Sequence, residues 1–375
     1  MSMPSIQDVA ILGANCSGLA AAVLLAGRKR SVLVVEAPAA ATECPLCDWA
    51  PADFFRAAGL GKNLFRACGA QSFRKVVYHD ATLRKRAEHS SRAALGAFVD
   101  AGELGAALRS AAKKAGARFR AADASPVLRP DEEQVRLVFG EAHVTAKFLL
   151  ISQGRPRDVL NDLSLPARAA PQSRVTAAAL DVPISAKDLP RDAAGALHVV
   201  EMPDRSEIGM YFVHGKTLHI RVISTSAASG SRAAELSGLV GSLQEAQLLP
   251  TRLALGKARG AVWHPPAGLA LELDSHVAKR CLLAGTAGGF AASITAQTLL
   301  PTVQSALLAA EAADQALDSP TPQETLMQFK NSWRKSLADL LRPPSTSPRM
   351  LLPLLFVNNN LVERFTRAML YGEEL

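Results

Sequence analysis

No apolar run in the sequence is long enough to cross a bilayer, and the start "MSMPSIQDVA" lacks the basic residues and apolar stretch of a secretion signal. These absences predict a cytoplasmic protein. Aromatic residues are scarce, at 5% of 375 residues with three tryptophans and three tyrosines. The basic stretches "RKVVYHDATLRKRAEHSSR" and "KNSWRK" therefore lack interleaved aromatics that would stack on bases, and a net charge of +8 is modest for this length. No nucleic-acid partner is expected. The surplus charge suits docking to an acidic electron-donor protein or peripheral contact with an anionic membrane, and a solvated basic surface is its plainest use.

Cysteine is also sparse. Five cysteines, an odd number in a long chain, argue against a disulfide framework. Cys44 and Cys47 in "TECPLCDW" are the only close pair, and Cys68, His79 and His89 follow at loose spacing. That spacing falls short of a zinc motif, so no metal is expected and both members of the pair read as loop cysteines.

What is present is ample apolar material: 49% hydrophobic against 20% charged residues, enough for one large domain or two intimately joined ones. Val9 to Leu12 form a short buried strand that runs into a turn at Gly13, a small-residue helix follows from Cys16, and "SVLVVE" gives a second strand ending at Glu36. Strand, glycine turn, helix and strand make the first βαβ unit of a doubly wound sheet. Gly13 permits the tight turn and Gly18 lets the helix pack on the strand, while the helix N-terminus faces a pyrophosphate with free N–H groups. Glu36 is placed to accept hydrogen bonds from ribose hydroxyls. Asn15 stands where a second glycine is usual, and asparagine tolerates positive φ better than other residues bearing a β-carbon.

Further along, Leu104, Leu108, Ala111 and Ala112 line one face of a helix over about 102–115, and "EQVRLVFG" with "AHVTAKFLLISQG" reads as a hairpin returning to the sheet. "EIGMYFVHG" and "TLHIRVIST" alternate as antiparallel strands joined by a turn at Gly215 and Lys216. This register places Met210, Phe212, His214, His219 and Arg221 on one mixed polar and aromatic face, suited to overlook a ligand. Trp263 and His264, beside two prolines, are candidates for a cavity wall. "KRCLLAGTAGGFAASITAQTLL" is a second strand and glycine turn, through Gly285, Gly288 and Gly289, read as passing into a long helix.

Two glycine turns flanking an antiparallel sheet are more than a single-site dehydrogenase needs. The sequence resembles the flavoprotein superfamily that contains p-hydroxybenzoate hydroxylase and the geranylgeranyl reductases. Gly13 to Glu36 match its N-terminal FAD fingerprint, and "ELGAALRSAAKKAGA" matches the helix after its flavin-contacting arginine. "LLISQGRP" sits at its Asp-Gly motif, "LLAGTAGGF" at its Gly-Asp motif, and "FKNSWRKSLADLL" and "FVNNNLVERFTRAMLYGEEL" resemble the helical tail of its reductases.

The resemblance implies an α/β fold: a Rossmann-like FAD-binding domain over 1–70, 96–165 and 275–320, an antiparallel-sheet substrate domain over 71–95 and 166–274, and a helical segment over 321–375. It implies an FAD-dependent oxidoreductase, monooxygenase-like or prenyl-reductase-like, acting on an apolar or aromatic small molecule. NAD(P)H is the reductant in the first case. The implied cofactor contacts are Gly13, Asn15, Cys16, Ser17, Gly18, Glu36, Ala37, Asp100, Gly154, Gly285, Thr286, Gly288, Gly289 and Phe290, with amides around Gly288 and Gly289 facing the flavin. Four positions depart from the pattern. Asn15 replaces a glycine, Asp100 the arginine, Gln153 the aspartate of Asp-Gly and Thr286 that of Gly-Asp. The competing expectation is a fold-retaining flavin or lipid binder, or a non-catalytic partner, that has lost normal use of FAD.

Overall fold

A computed structural model describes residues 6–38, 47–52, 54–57, 61–153, 163, 175–185, 188, 193–204, 207–225, 232–253, 255–343 and 348–374. Its centre is a parallel sheet that begins where the sequence reading does. Gln7–Leu12 pairs in parallel with Val32–Glu36 on one side and with Ala142–Ile151 on the other, and Arg118–Ala121 and Cys281–Leu283 extend the sheet outward. The strands are short and apolar because both sheet faces are covered. On one face lie the helix Cys16–Gly27 and the helix Leu299–Leu317, whose alanines (Ala21, Ala22, Ala306, Ala309, Ala310, Ala313) are buried together. Small side chains let these two backbones approach closely.

The strands Val127–Pro130, Val135–Phe139 and Ala142–Ile151 form an antiparallel extension, which includes the expected hairpin. The helix Ala101–Ala115 buries Leu104, Leu108 and Ala112, is capped at its start by Asp100 and stops at Gly116, which takes φ +105°. Burial of each leucine contributes about 2 kcal/mol.

A seven-stranded sheet stands beside this core, in the order Arg259–Trp263, Thr176–Pro183, Thr217–Ser224, Glu207–His214, Ala196–Glu201, Lys75–His79 and Arg86–Ser90. All neighbours are antiparallel except Ala196–Glu201 with Lys75–His79. The hairpin turns at Gly215, and the register pairs Val213 with Leu218 and Tyr211 with Ile220, as read from the sequence. Those four pack with the helix Arg232–Glu245. The opposite face packs against a three-stranded sheet of Cys47–Pro51, Gly96–Asp100 and Gln71–Phe73.

The C-terminal part is helical, with Pro322–Met327, Phe329–Leu341 and Asn360–Tyr371. The second glycine turn does not pass directly into a helix: the long helix begins at Leu299, after an irregular stretch from Thr286. Among the described residues, no helix is long and apolar enough to cross a membrane.

Candidate functional site

Gly13 takes φ +118° at the end of the first strand, and the helix starts three residues later. Asn15 does not use the left-handed region. It adopts φ −81° and caps the helix: its Oδ1 accepts from the Gly18 amide at 3.0 Å and from Ser17 Oγ at 2.8 Å, and its Nδ2 donates to the Ser152 carbonyl at 3.1 Å. The asparagine is therefore a cap and a strut rather than a substitute for a glycine's conformational freedom.

Ser152, which sequence reasoning passed over, is the hub of the site. It is fully buried at the end of a central strand, and its hydroxyl reaches the carbonyls of Leu12 (3.1 Å) and Gly13 (3.3 Å) as well as Asn15 Oδ1 (3.2 Å). Its carbonyl accepts from the Thr286 hydroxyl at 3.4 Å. A β-carbon at Gly285 would fall 2.5 Å from that carbonyl oxygen and 2.7 Å from Ser17 Oγ, and Gly285 has φ +59°. Both glycine turns thus close on one serine. The only advance signal was a small polar residue after the apolar run "FLLI".

Glu36, at the end of the second strand, is held by Arg109 from the helix Ala101–Ala115, and the Gln153 amide donates to the Ala37 carbonyl at 3.1 Å. Arg109 was not singled out in the sequence, since nothing local marks which face of its helix meets a strand end. Asp100 accepts from the Glu103 amide at 2.9 Å as an N-cap, and Cys16 Sγ lies 3.3 Å from the Ala101 carbonyl. Asp100 thus caps its own helix through Oδ1. Gly154 and Cys44 lie outside the described residues.

The second turn is held by its own hydrogen bonds: the Gly288 amide donates to the Ala284 carbonyl and the Gly289 amide to that of Thr286. Phe290 is fully buried, its ring packed among His276, Phe329 and Trp333. His276 Nε2 hydrogen-bonds the Gly288 carbonyl at 2.9 Å. Burial pushes the pKa of this histidine down to about 4, against the pull of that carbonyl.

Met210, Phe212, His219 and Arg221 are brought together on one face, but the face is filled. Phe73, Phe98, Phe212 and His219 stack in a column, with Phe98 and Phe212 at 4.5 Å and 10°. Arg221 lies over Phe212 and pairs with buried Asp48 at 3.1 Å. Asp48 also accepts from the amides of Trp49 and Thr298, and the Gln297 side chain donates to the Trp49 carbonyl at 2.8 Å, tying this face to the stretch after the second glycine turn. His214 is half-buried, Trp263 is buried in the same core, and His264 is exposed beside Thr176. An open cavity lies elsewhere. A cavity of about 720 Å³ is lined by Ile294, Leu351, Leu355, Leu361, Arg364 and Phe365, among others, between the glycine-turn stretch and the C-terminal helices.

The residues present fit the adenosine-pyrophosphate half of FAD. The capped helix start offers first-turn amides to an anion, and Glu36 keeps lone pairs beyond those used by Arg109 for ribose hydroxyls. No protein-family model matches the sequence, and no curated protein sequence does either. Solved structures do match. A geranylgeranyl bacteriochlorophyll reductase-like protein from Thermoplasma acidophilum superposes with a TM-score of 0.74 at 12% identity, covering 98% of this chain and 97% of its own. The probable FAD-dependent monooxygenase PqsL of Pseudomonas aeruginosa gives 0.69 at 16% identity, over 96% and 99%. The flavin-dependent brominase Bmp2 gives 0.68 at 11% identity, over 97% and 90%. The chain has, along nearly its whole length, the fold shared by these proteins.

Proposed function

We propose that this protein is an FAD-dependent oxidoreductase acting on an apolar or aromatic small molecule. The observation that carries the reading is the convergence of two glycine turns on Ser152 at the carboxyl ends of adjacent parallel strands, where open α/β sheets bind their ligands. Gly13, Cys16, Ser17, Gly18, Glu36 and Ala37 would hold the dinucleotide end of the cofactor, and Gly285 and Thr286 lie opposite them across Ser152. Bound FAD supplies the redox chemistry. The chain's own part is to anchor, orient and keep water out.

The cavity supports this substrate class. Its leucine, isoleucine and phenylalanine walls suit an aromatic ring or an aliphatic chain, and its rim mixes Arg342 and Arg364 with Asp339, Glu373 and Glu374. Ile294 places this cavity next to the stretch that follows the second turn. Hydroxylation and alkene reduction are both served by such a chamber, and the proteins of like fold span both chemistries in their names.

A second reading has its own observation. Asn15, Asp100, Gln153 and Thr286 all satisfy their side chains inside the protein, as they would in a fold-retaining binder without catalysis. Absorption spectroscopy of the purified protein separates the two. Flavin bands, or their recovery with quenched flavin fluorescence on titration with FAD, support the enzyme. Protein that is colourless and takes up no FAD overturns it. For the loaded protein, product analysis with chemically reduced flavin, with and without oxygen, distinguishes hydroxylation from reduction, and a parallel NADPH assay identifies the electron donor.

A further inference from the structure

Outside the glycine turns, three metal-ligating side chains converge where the three-stranded sheet meets the hairpin. One nitrogen each of His214 and His219 and the sulfur of Cys47 all lie within 4.8 Å of one another. The two histidines occupy the same face of the hairpin on neighbouring strands: Phe212 is opposite His219 and His214 is opposite Thr217. Cys47 opens the strand that covers them.

The hydrogen bonds around the trio resemble those that orient metal ligands. His219 Nδ1 is bound to Asp181 at 2.7 Å, whereas its Nε2 is buried with no partner among the described residues. A carboxylate behind an imidazole fixes the tautomer and leaves the far nitrogen with a lone pair. The His214 Nε2–H donates to the Gly69 carbonyl at 3.0 Å, so a ring carrying one proton has its lone pair on Nδ1. Cys47 Sγ has only a 3.8 Å contact to its neighbour's carbonyl. An orphaned imidazole nitrogen inside a protein is costly, and a cation would remove that cost.

We propose that Cys47, His214 and His219 bind a divalent ion of borderline softness, Zn²⁺ in the first instance. One thiolate and two imidazoles are a zinc donor set, with three protein ligands and a fourth position left open. Tetrahedral zinc spaces such atoms roughly 3.3–3.7 Å apart, so modest side-chain rotation closes the observed spacing. Binding forms two Zn–N bonds and one Zn–S bond and releases the thiol proton to solvent. Charge also balances. The ion's two positive charges meet the Cys47 thiolate and the Asp181 carboxylate, while Asp48 and Arg221 already neutralise each other. Entry is from the side of His214, the one half-exposed ligand. The ion would clip the hairpin to the small sheet.

The test uses the full-length protein after exhaustive dialysis against chelator, titrated with Co²⁺ and then displaced with Zn²⁺. The expected result is one equivalent of Co²⁺ with a thiolate-to-cobalt band and strong d–d bands, lost on addition of Zn²⁺. Cys47→Ser removes the thiolate band, His214→Ala weakens binding at least tenfold, and Asp181→Asn weakens it 10–100-fold. His264→Ala, at an exposed histidine outside the trio, leaves it unchanged. Circular dichroism confirms that each variant is folded, and His214→Ala, on the half-exposed ligand, keeps the test decisive where Cys47→Ser perturbs packing. Absence of tight stoichiometric binding in the folded wild-type protein overturns the proposal. So does an unchanged thiolate band in Cys47→Ser, which would place the metal on another cysteine.

Discussion

Single side chains at the first turn do more than their sequence positions announce. Asn15 accepts from the Gly18 amide and from Ser17 and braces the Ser152 carbonyl, so its replacement has two separable effects. Asn15→Ala removes the cap and should cost about 1 kcal/mol, whereas Asn15→Gly should cost only a few tenths through the cap itself. Urea denaturation of the two variants checks the order. Equal losses would show that the strut to Ser152 outweighs the cap. Ordinary titration also matters at this scale. Burial holds His79 and His276 neutral, with pKa values near 4, and nearby Arg86, Lys330 and Arg334 push the same way. The unfolded chain binds protons near pH 6.5, so between pH 6.5 and 4 it takes them up before the native state does. Stability from these two residues is complete above about pH 6.5, falls through that window and levels off below 4. Each contributes at most about 3 kcal/mol to that fall. His276→Gln, which keeps a donor toward the Gly288 carbonyl, should flatten the pH dependence of the denaturation midpoint by about half.

Elements show how the same turn is held from behind. The helix Phe329–Leu341 buries Phe329, Trp333, Leu337 and Leu341, and Trp333 meets Phe290 at 5.3 Å and His276 at 5.0 Å. This helix thereby clamps the second glycine turn through Phe329 and Trp333. Trp333→Ala should destabilise the fold by about 3–5 kcal/mol. Should the protein remain folded at low temperature, it should also bind FAD more weakly, because the Gly285 and Thr286 backbone loses its backing. Unchanged FAD affinity in the folded variant would mean that the turn stands without the helix. The βαβ unit, the hairpin register and the helix over 101–115 were legible because each depends on local periodicity and turn chemistry. What Phe290 touches was not legible, since its partners lie about 14 to 43 residues away in the sequence and no local pattern pairs a turn phenylalanine with a distant tryptophan. The partners of the Gly288 and Gly289 amides were not legible for a related reason: a glycine-rich stretch reveals freedom of φ, not which carbonyl each amide finds.

Over the whole molecule, the junction between the seven-stranded sheet and the small three-stranded sheet contains a buried ion pair. The face carrying Phe212, His219 and Arg221 alternates polar and aromatic residues, a pattern that fits a ligand chamber and a packed seam equally well. The structure shows a seam, because Phe98 and Asp48 come from a separate small sheet that sequence spacing does not place. Asp48 is buried, and desolvation pushes its carboxyl up against the opposing pull of Arg221 and the amides of Trp49 and Thr298. Arg221 has its Nε and Nη2 groups buried without partners, so Asp48 is the one ion-pair partner found for it among the described residues. Removal of the aspartate charge alone strands a buried cation. Asp48→Leu should therefore cost about 3–5 kcal/mol, and Arg221→Met, which strands the carboxylate, a similar amount. The double replacement Asp48→Leu with Arg221→Met should be far less damaging than the sum, because no uncompensated charge remains. A double-mutant cycle by urea denaturation, in chelator so that no ion bound near Cys47 contributes, measures the coupling. Additive losses would show that the seam is held by its stacked rings alone, with the ion pair contributing nothing beyond its two separate side chains.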